Sequence, residues 1–370
     1  MNFRAATDGY ERWLGGQTRL VREDLTHKHA AMRADSFSFF RATYYRWAQQ
    51  FGSLDGAVKK APEVLAVADL HLENFGTWRD ALGRLAWGIN DFDEAYPLPY
   101  TNDLVRLAAG ALLAMDEDEI KIGAKDACRA ILEGYREGLS VGGKPFVIGD
   151  HHRWFKPILQ DPPGDPGKFW DKLQLLPREL DKVPKEAVQA IESLLPEARL
   201  KYVLRHRTAG LGNLGKMRYT AIAEWQGGPI AREAKALTLS AAAWARLATG
   251  AGAASGAGVR RVELPRYAEI LAGAIRSHDP FLKVAGAWIV RRLAPDCRRL
   301  DISALTRAED QEWLLNAMGF ETANVHLGTR DARRAIQKHL KDQPKNWLRK
   351  SAEAMQAMVM NDFEAVEEKD

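Results

Sequence analysis

A short apolar run that ends in a crowd of polar side chains constrains this chain more than any other feature. Residues 64–70, VLAVADL, are too few for a helix and rich in Val and Leu, which favours a buried strand. Asp69, His71, Glu73 and Asn74 then fall within six residues. Because binding and catalytic groups often occupy the loops that follow rigid elements, this stretch predicts a functional site.

A second run of the same kind follows at residues 84–90, RLAWGIN, and it ends in Asp91 and Asp93. We predict a turn over residues 75–83, FGTWRDALG, between the two runs. The segment 64–92 is therefore expected to form two short strands, joined by a loop, with a polar cluster at the end of each.

The spacing of Asp69 and Asn74 is typical of phosphoryl transfer, in which an Asp accepts the proton of a hydroxyl and an Asn five residues later binds a metal. Asp91 is placed to be the metal-binding acid, and Asp93 is a further candidate ligand. Mg²⁺ takes few protein ligands beside nucleotide phosphates, so these oxygens predict ATP with Mg²⁺. His71 joins Asp69 as a candidate catalytic residue, either shaping the loop or contacting acceptor or metal.

The acids and the histidine of the two strand ends could also form a hydrolytic metal centre. Such centres usually use several histidines, and the pairs His27/His29 and His151/His152 lie in unrelated contexts. A serine hydrolase is not indicated, because the chain has no G-x-S-x-G motif.

Much later in the chain, GLGNLG at residues 210–215 fits G-x-G-x-x-G. A dinucleotide-binding fold would need a helix after this motif, but residues 217–225 alternate as a half-buried strand. The pattern therefore predicts a glycine-rich loop between antiparallel strands, covering nucleotide phosphates, with a plain hairpin loop as the alternative. The candidate nucleotide-binding residues of the loop are Gly210, Gly212, Asn213 and Gly215.

Lys235 follows on the return strand of a hairpin predicted at residues 226–228. A lysine there can place a point charge on the α- and β-phosphates. Arg232 competes for this role, and a solvated strand lysine is the alternative interpretation. Glu263 and Glu269 are the candidates for an acidic partner of Lys235.

DLHLEN at residues 69–74 resembles the catalytic loop of aminoglycoside phosphotransferases and related small-molecule kinases. The segment 89–108, INDFDEAYPLPYTNDLVRLA, resembles the metal-binding segment that follows in those enzymes, where a later Asp, here Asp103, opens a structural helix. Val67-Ala68 departs from that family, which has His-Gly before the catalytic Asp.

From about residue 28 to about residue 330, the chain also resembles a bacterial family, domain of unknown function 2252. The shared elements are MRADSFSFFRA with Arg41, the two motifs above, the glycine motif, and the run from Lys235 to Ser240. An ordinary kinase has its glycine loop and lysine first, whereas here the catalytic loop precedes them. The resemblance therefore implies an α+β, two-lobed, protein-kinase-like fold of the aminoglycoside phosphotransferase type, with the lobes in circularly permuted order.

Three regions follow from this interpretation. Residues 1–200 are expected to form a mainly helical catalytic lobe, with a loop-rich boundary over 141–168. Residues 201–300 are expected to form a β-rich nucleotide-binding lobe, with a Gly/Ala linker or loop at 249–258. Residues 301–370 are expected to be helices that pack on the catalytic lobe.

The expected function is ATP- and Mg²⁺-dependent phosphoryl transfer to a hydroxyl of a small molecule or a protein. Two alternatives stay open: a non-catalytic, pseudokinase-like nucleotide-binding regulator, and a nucleotidyl transferase that moves AMP. A net charge of +4 over 370 residues is too small an excess to indicate nucleic acid. With no signal-peptide pattern, no long apolar segment and two cysteines, we expect a cytoplasmic protein without a membrane partner.

Overall fold

The structure, a computed structural model, describes residues 2–148, 165–178, 183–248, 265–299 and 302–367. The His151/His152 pair, Glu263, the Gly/Ala segment 249–258 and most of the predicted loop 141–168 lie outside these ranges.

The described chain is a mixed α+β protein with several sheets, as predicted. Its α-helices are α1 (Phe3–Gly15), α2 (Arg22–Ala31), α3 (Ser36–Ala42), α4 (Tyr44–Gln50), α5 (Gly56–Lys59), α6 (Thr101–Asp116), α7 (Ala124–Val141), α8 (Pro166–Gln174), α9 (Lys185–Glu192), α10 (Ala241–Ala248), α11 (Tyr267–Gly273), α12 (Ala308–His326), α13 (Ala332–Asp342) and α14 (Trp347–Glu367). Its strands are β1 (Glu63–Ala66), β2 (Phe75–Arg79), β3 (Leu85–Ile89), β4 (Tyr96–Pro99), β5 (Phe146–Val147), β6 (Val203–His206), β7 (Arg218–Trp225), β8 (Gly228–Ala236), β9 (Leu282–Ala285) and β10 (Trp288–Leu293).

A five-stranded antiparallel sheet has the strand order β6–β7–β8–β10–β9. Strands β7 and β8 form the predicted hairpin, and β6 and β7 are the two antiparallel strands predicted on either side of the glycine motif. The register places Arg218 opposite Lys235 and Arg291 opposite Glu233. Since side chains alternate along a strand, these four charged side chains share one face of the sheet.

The turn predicted over residues 75–83 is wrong for most of its length, because β2 occupies Phe75–Arg79 and pairs with β3. Gly76 suggested a turn, but its small size serves close packing instead. A Cβ at Gly76 would collide with the side-chain amide of Asn90 and would lie 2.9 Å from the carbonyl oxygen of Arg298. Neighbouring side chains on both faces of β2 are buried, so no polar–apolar alternation marks the strand.

The first predicted strand, β1, pairs with β4 and not with the second predicted strand, β3. The pairing is antiparallel, so Glu63 at the start of β1 lies opposite Pro99, next to α6. Hydrogen bonds from the N–H groups of Val67 and Ala68 to Asp103 then bring the segment after β1 to the first turn of α6. The two polar clusters therefore belong to two different small sheets: one follows β1 and the other follows β3.

The helix that the resemblance implies at Asp103 is α6, a buried helix, and the polar residues at its start do not cap it. The residue before the helix is Tyr100, and no side chain accepts a hydrogen bond there. The Thr101 hydroxyl instead donates to the carbonyl of Val58 (2.6 Å), and Oδ1 of Asn102 accepts from Nε1 of Trp47 (3.1 Å). Tertiary contacts have taken the side chains that local capping would use.

Helices near the C-terminal end pack against α6 and α7. Along α12, Nδ1 of His326 lies 2.9 Å from the Tyr135 hydroxyl of α7. In α14, Asp362 forms an ion pair with Arg46 of α4, with 2.7 Å between Oδ2 and Nε. None of the helices in the described part of the chain combines the length and apolar composition needed to cross a membrane.

The N-terminal helices pack against a helix from much later in the chain. The Tyr10 ring of α1 stacks on that of Tyr45 in α4, with 4.6 Å between the ring centroids. The edge of the Trp244 ring in α10 contacts both tyrosines, at centroid distances of 5.6 and 6.2 Å. All three side chains are buried, so α1, α4 and α10 form one packing unit.

Candidate active site

One cavity of about 410 Å³ lies where the five-stranded sheet meets the segments after β1 and β3. Side chains from widely separated parts of the sequence line it. The sequence-predicted residues among them are Asp69, His71, Asn74, Asp91, Asp93, Gly210, Gly212, Asn213 and Lys235. Of the residues assigned to catalysis, to nucleotide binding or to the metal, only Gly215 is not part of this lining.

The two carboxylate oxygens of Asp69 have different surroundings: one faces the protein interior and the other faces the cavity. Oδ1 accepts from Nε and Nη2 of Arg106, at 2.8 and 2.5 Å. The Arg106 side chain is 0% exposed and lies over the Phe40 ring, so it fixes the carboxylate from behind. Oδ2 lies on the side of Gly212, where a Cβ would come within 3.4 Å of it. Burial raises the pKa of Asp69 to about 7, although Arg106 opposes this shift.

The backbone just before Asp69 is held by Asp103 in the first turn of α6. The N–H groups of Val67 and Ala68 donate to its two carboxylate oxygens, at 2.7 and 2.9 Å. Ala68 has a φ of 74°, a left-handed conformation that is costly for a residue with a side chain. His326 completes the buried network, with Nε2 3.0 Å from Oδ2 of Asp103. These contacts set the direction in which Asp69 leaves the strand.

His71 shapes the loop that follows Asp69. Its Nδ1 accepts from the N–H of Glu73 (3.2 Å), and its own N–H donates to Oδ1 of Asn74 (2.7 Å). These bonds close a short 3₁₀ helix over Leu72–Asn74. Burial and the nearby Arg41 lower the pKa of His71 well below its ordinary value, so the imidazole is neutral. Of the roles predicted for His71, the geometry shows loop shaping.

Lys235 reaches across the cavity to the second polar cluster. Its Nζ lies 2.6 Å from Oδ2 of Asp93 and 3.4 Å from Oδ1 of Asp91. Asn213 of the glycine loop approaches the same acids, with Nδ2 3.4 Å from Oδ2 of Asp91. The β8 lysine, the glycine loop and the acids after β3 thus share one cleft.

Asp91 and Asp93 differ in the direction in which their pKa values are shifted. Burial alone would raise the pKa of Asp91, but Lys235 and a hydrogen bond from Asp93 hold it below its ordinary value. Burial and the Asp91 carboxylate together raise the pKa of Asp93 to about 6. Asp91 is therefore the permanently charged member, and its side chain is also the more exposed, at 29% against 2%.

Among the described residues, Lys235 pairs with Asp91 and Asp93 rather than with the candidate partner Glu269. Glu269 is exposed and pairs with Arg266. Arg232, the competitor of Lys235, is not part of the cavity lining. Its Nε donates to the carbonyl of Leu194 (2.8 Å), and its guanidinium lies over the Phe281 ring.

Sequence reasoning missed a second cationic cluster on the same sheet face. The Glu233 side chain is 0% exposed and accepts hydrogen bonds from Arg207, Arg218 and Arg291 at 2.7 to 3.0 Å. Burial alone would raise the pKa of Glu233, but the arginines lower it well below its ordinary value. The arginines line the cavity beside Lys235. The sequence did contain a signal for this cluster. Glu233 and Lys235 are two residues apart on β8 and so share a face, and the hairpin register places Arg218 opposite Lys235.

The glycine loop is held from outside by α2 and the residue before it. Asp24 is buried and accepts from Nε2 of His206 and from the hydroxyl of Thr208, both at 3.1 Å. At the other end, the N–H of Val21 donates to the carbonyl of Gly215 (2.9 Å). Gly215 therefore anchors the end of the loop.

The middle of the loop packs against α3. The backbone forms a 3₁₀ turn over Leu211–Asn213. A Cβ on Gly212 would lie only 2.9 Å from the carbonyl oxygen of Arg41. Nζ of Lys28 lies 3.5 Å from the carbonyl oxygen of Gly212, so both sides of this turn have close neighbours.

The donors available to a metal are oxygens. Asp91 and Asn74 both line the cavity, but Oδ1 of Asn74 already accepts one hydrogen bond and has one further lone pair. No group of three or more His, Cys, Asp and Glu side chains in the described ranges could hold a metal by itself. Mg²⁺ bound with a nucleotide has little need of such a group, because phosphates and water supply most of its ligands. The donor set therefore fits Mg²⁺ that arrives with phosphates.

Comparison with known proteins identifies one family. Residues 19–144 match the model of a family described as "Uncharacterized protein conserved in bacteria (DUF2252)". The match covers less than half of the chain and includes both polar clusters, but it ends before the glycine loop and Lys235. The family resemblance is thus confirmed over residues 19–144. Searches among curated proteins and among solved structures gave no match.

Proposed function

We propose that this chain is an ATP- and Mg²⁺-dependent phosphotransferase that acts on a hydroxyl group. The observation that carries the proposal is the convergence of two sets of predicted residues on one cavity. Asp69, Asn74 and Asp91 come from the first third of the sequence, and the glycine loop and Lys235 come from more than 100 residues later. Convergence of unrelated patterns on one cleft is a stronger reason for a function than either pattern alone.

The cationic sheet face supports nucleotide binding. Lys235 and the arginines around Glu233 put four positive charges beside a glycine loop; Glu233 balances one of them and Asp91 balances that of Lys235. We assign the triphosphate to this face, where Lys235 and the N–H groups of the loop would contact its oxygens. Asn213 would contact the same phosphates or their metal.

The acids opposite the sheet would hold the metal. We assign Asp91 and the free lone pair of Asn74 to Mg²⁺, which would neutralise charge on the transferred phosphoryl group. Asp93 lies deeper and contacts Lys235 closely, so we assign to it the anchoring of that lysine.

Asp69 would act as the base. Oδ2 faces the cavity while Arg106 holds Oδ1, so the carboxylate is oriented before an acceptor arrives. In the transfer, the acceptor oxygen forms a bond to the γ-phosphorus, and the bond from that phosphorus to the β–γ bridging oxygen breaks. The hydroxyl proton passes to Oδ2 of Asp69, and ADP leaves. A pKa near 7 suits this exchange at neutral pH.

The fold proposed with this function is kinase-like with its lobes in permuted order. It divides the chain into a catalytic lobe at 1–200, a nucleotide-binding lobe at 201–300 and C-terminal helices at 301–370. The position of the five-stranded sheet, within residues 203–293, supports this division. The meeting of Lys235 with Asp91 supports it further, since opposite sides of the molecule would have ruled it out.

One observation favours a non-catalytic nucleotide binder as a second candidate. Oδ1 of Asn74 is engaged by the backbone of His71, and Asp91 is engaged by Lys235. Both proposed metal ligands thus have protein partners already, which suits a protein that holds a nucleotide without turning it over.

Labelled ATP separates the candidates. The protein is incubated with Mg²⁺ and ATP labelled at the γ- or the α-phosphate, with Asp91→Ala as the matched variant, and nucleotide binding is measured by calorimetry. We expect ATP binding, Mg²⁺-dependent loss of the γ-label, and loss of that reaction in Asp91→Ala. Transfer of the α-label would indicate AMP transfer, and binding with neither reaction in the presence of an acceptor panel would indicate the regulator. Absence of ATP binding would refute all three.

A further inference from the structure

We propose that the acceptor is an anion: a hydroxyl compound that also carries an oxyanion group, phosphate or carboxylate, held by arginines beside Asp69. This inference rests on the proposed function, because it names the substrate class for the same cavity. It is drawn from the arginines of the cavity that are not assigned to the triphosphate.

The first observation is a pair of arginines that share one carboxylate. Glu73 forms ion pairs with both Arg41 and Arg299. Arg41 and Glu73 are half-buried, whereas the Arg299 side chain is 54% exposed at the rim. Glu73 and Asp69 belong to the same short loop, so the pair lies next to the proposed base. Two guanidinium groups against one carboxylate leave a net positive charge there.

The second observation is unused donor capacity among the arginines of this cavity. Nε of Arg41 and Nη1 of Arg276 are buried and have no hydrogen-bond partner among the described residues. The Arg276 guanidinium lies over the Trp78 and Phe92 rings, at 4.4 and 5.3 Å from their centroids. Buried donors without partners are costly, and an oxyanion is the ligand that satisfies guanidinium groups best. Both arginines line the cavity.

The third observation is the charge of the cavity as a whole. Its lining contains nine arginines and lysines against six aspartates and glutamates. Three of the arginines are tied to Glu233 on the sheet, and Lys235 is tied to Asp91 and Asp93. The remaining five are arginines: Arg41 and Arg299 share Glu73, Arg292 pairs with Asp296, and Arg276 and Arg298 complete the set.

A cationic acceptor such as an amino sugar does not fit this wall. It would need a carboxylate near Asp69 with room for an ammonium group, and Glu73 is already shared by two arginines. A neutral sugar could offer the buried donors of Arg41 and Arg276 only hydroxyl oxygens, which make weaker hydrogen bonds than an oxyanion does. An anionic hydroxyl compound matches both the charge and the donor geometry.

The test uses the full chain with its nucleotide site saturated by Mg²⁺ and a non-hydrolysable ATP analogue, so that added anions report on the acceptor side only. Four matched probes are titrated by calorimetry: glucose, glucosamine, gluconate and glucose 6-phosphate. The variant is Arg299→Ala, and the matched control is Arg79→Ala. Arg79 is also exposed and ion-paired, but it is not part of the cavity lining.

We expect saturable binding of the phosphate or the carboxylate probe and weaker binding of glucose and glucosamine. Arg299→Ala should weaken the anion by about tenfold, the loss typical of one charge-assisted contact, and Arg79→Ala should leave it unchanged. The better of the two anions identifies the oxyanion. With ATP, the same anion should accept the γ-label, with the effect of Arg299→Ala mainly on KM.

Preference for glucose or glucosamine, binding of no anion, or equal effects of the two variants would overturn the inference. If ATP itself binds in these experiments, such a result leaves the phosphotransferase proposal standing and removes only the anionic acceptor. If ATP does not bind, the result refutes the proposed function and therefore also the acceptor inference that rests on it.

Discussion

Nζ of Lys235 lies 2.6 Å from Oδ2 of Asp93, and both side chains are almost entirely buried. The pair joins β8 to the loop after β3. Desolvation makes such a pair a weak source of net stability, whereas removal of one partner leaves an uncompensated charge. The lysine is thus held in place by contacts within the protein, and its position depends on Asp93.

Lys235→Met should lower the free energy of unfolding by about 3–5 kcal/mol, because Asp93 loses its partner. Adding Asp93→Asn should restore much of this loss. Urea unfolding of the two single variants and the double variant at pH 8, well above the Asp93 pKa of about 6, measures the coupling. Additive losses would show that the pair is not coupled.

Gly212→Ala should weaken ATP binding by about tenfold or more while the protein stays folded. The new methyl group would lie 2.9 Å from the carbonyl oxygen of Arg41 and 3.4 Å from Oδ2 of Asp69, so the loop must shift. Such overpacking costs about 1–3 kcal/mol. Gly228→Ala is the control, because a Cβ there has no neighbour within 4 Å. Equal ATP affinities in the two variants, measured by calorimetry, would contradict the assigned role of the loop.

Phosphoryl transfer should accelerate as the pH rises through about 7. Burial raises the pKa of Asp69 to about 7, and only the deprotonated carboxylate can accept the proton of the hydroxyl. Below that pKa, each pH unit should change the rate by about tenfold, and above it the rate should level off. Single-turnover rates across this range provide the measurement.

Asp69→Asn should reduce that rate by about 10² to 10⁴ and remove the rise with pH. Its ATP affinity should stay the same, because Asp69 faces the acceptor. A normal pH profile in this variant would show that another group is the base.

Stability should rise with pH because of Lys28. This lysine is buried, and burial lowers its pKa from 10.5 to about 8. The unfolded chain therefore binds more protons than the folded one between about pH 8 and 10.5, so unfolding becomes less favourable as the pH increases across that window. The full shift corresponds to about 3 kcal/mol.

Lys28→Met should be more stable than the native chain at pH 7, and this advantage should shrink by pH 10. Urea unfolding of both proteins at the two pH values cancels the other titrating groups. A pH-independent difference would mean that Lys28 titrates normally in the folded protein.

Motifs with short internal spacing could be predicted from the sequence, and contacts across the fold could not. Asp69 and Asn74 are five residues apart, and the hairpin that carries Lys235 is marked by its turn, so local pattern sufficed to nominate residues that line one cavity. The acidic partners of Lys235 lie more than 140 residues away, in the loop after β3, so the nearby candidate Glu269 was wrong.

The same limit explains the misplaced turn and the missed arginines. A glycine is required at position 76 because Asn90 and Arg298 pack closely against it. A local pattern cannot distinguish such a glycine from one in a turn. No local pattern singles out Arg207, because its partner Glu233 lies 26 residues away. Ala68 shows the converse case, since its left-handed backbone is held by Asp103 from α6 and no local sequence preference predicts it.

The contact of Trp244 with Tyr10 and Tyr45 has a consequence for synthesis on the ribosome. Helices α1 and α4 emerge first, but the indole that covers their tyrosines is translated only after β8. Until then the nascent chain exposes a stacked aromatic surface, which is a site for chaperones or for aggregation. Fragments that end before α10 should therefore be poorly soluble, and the N-terminal helices should reach their native packing only late in translation.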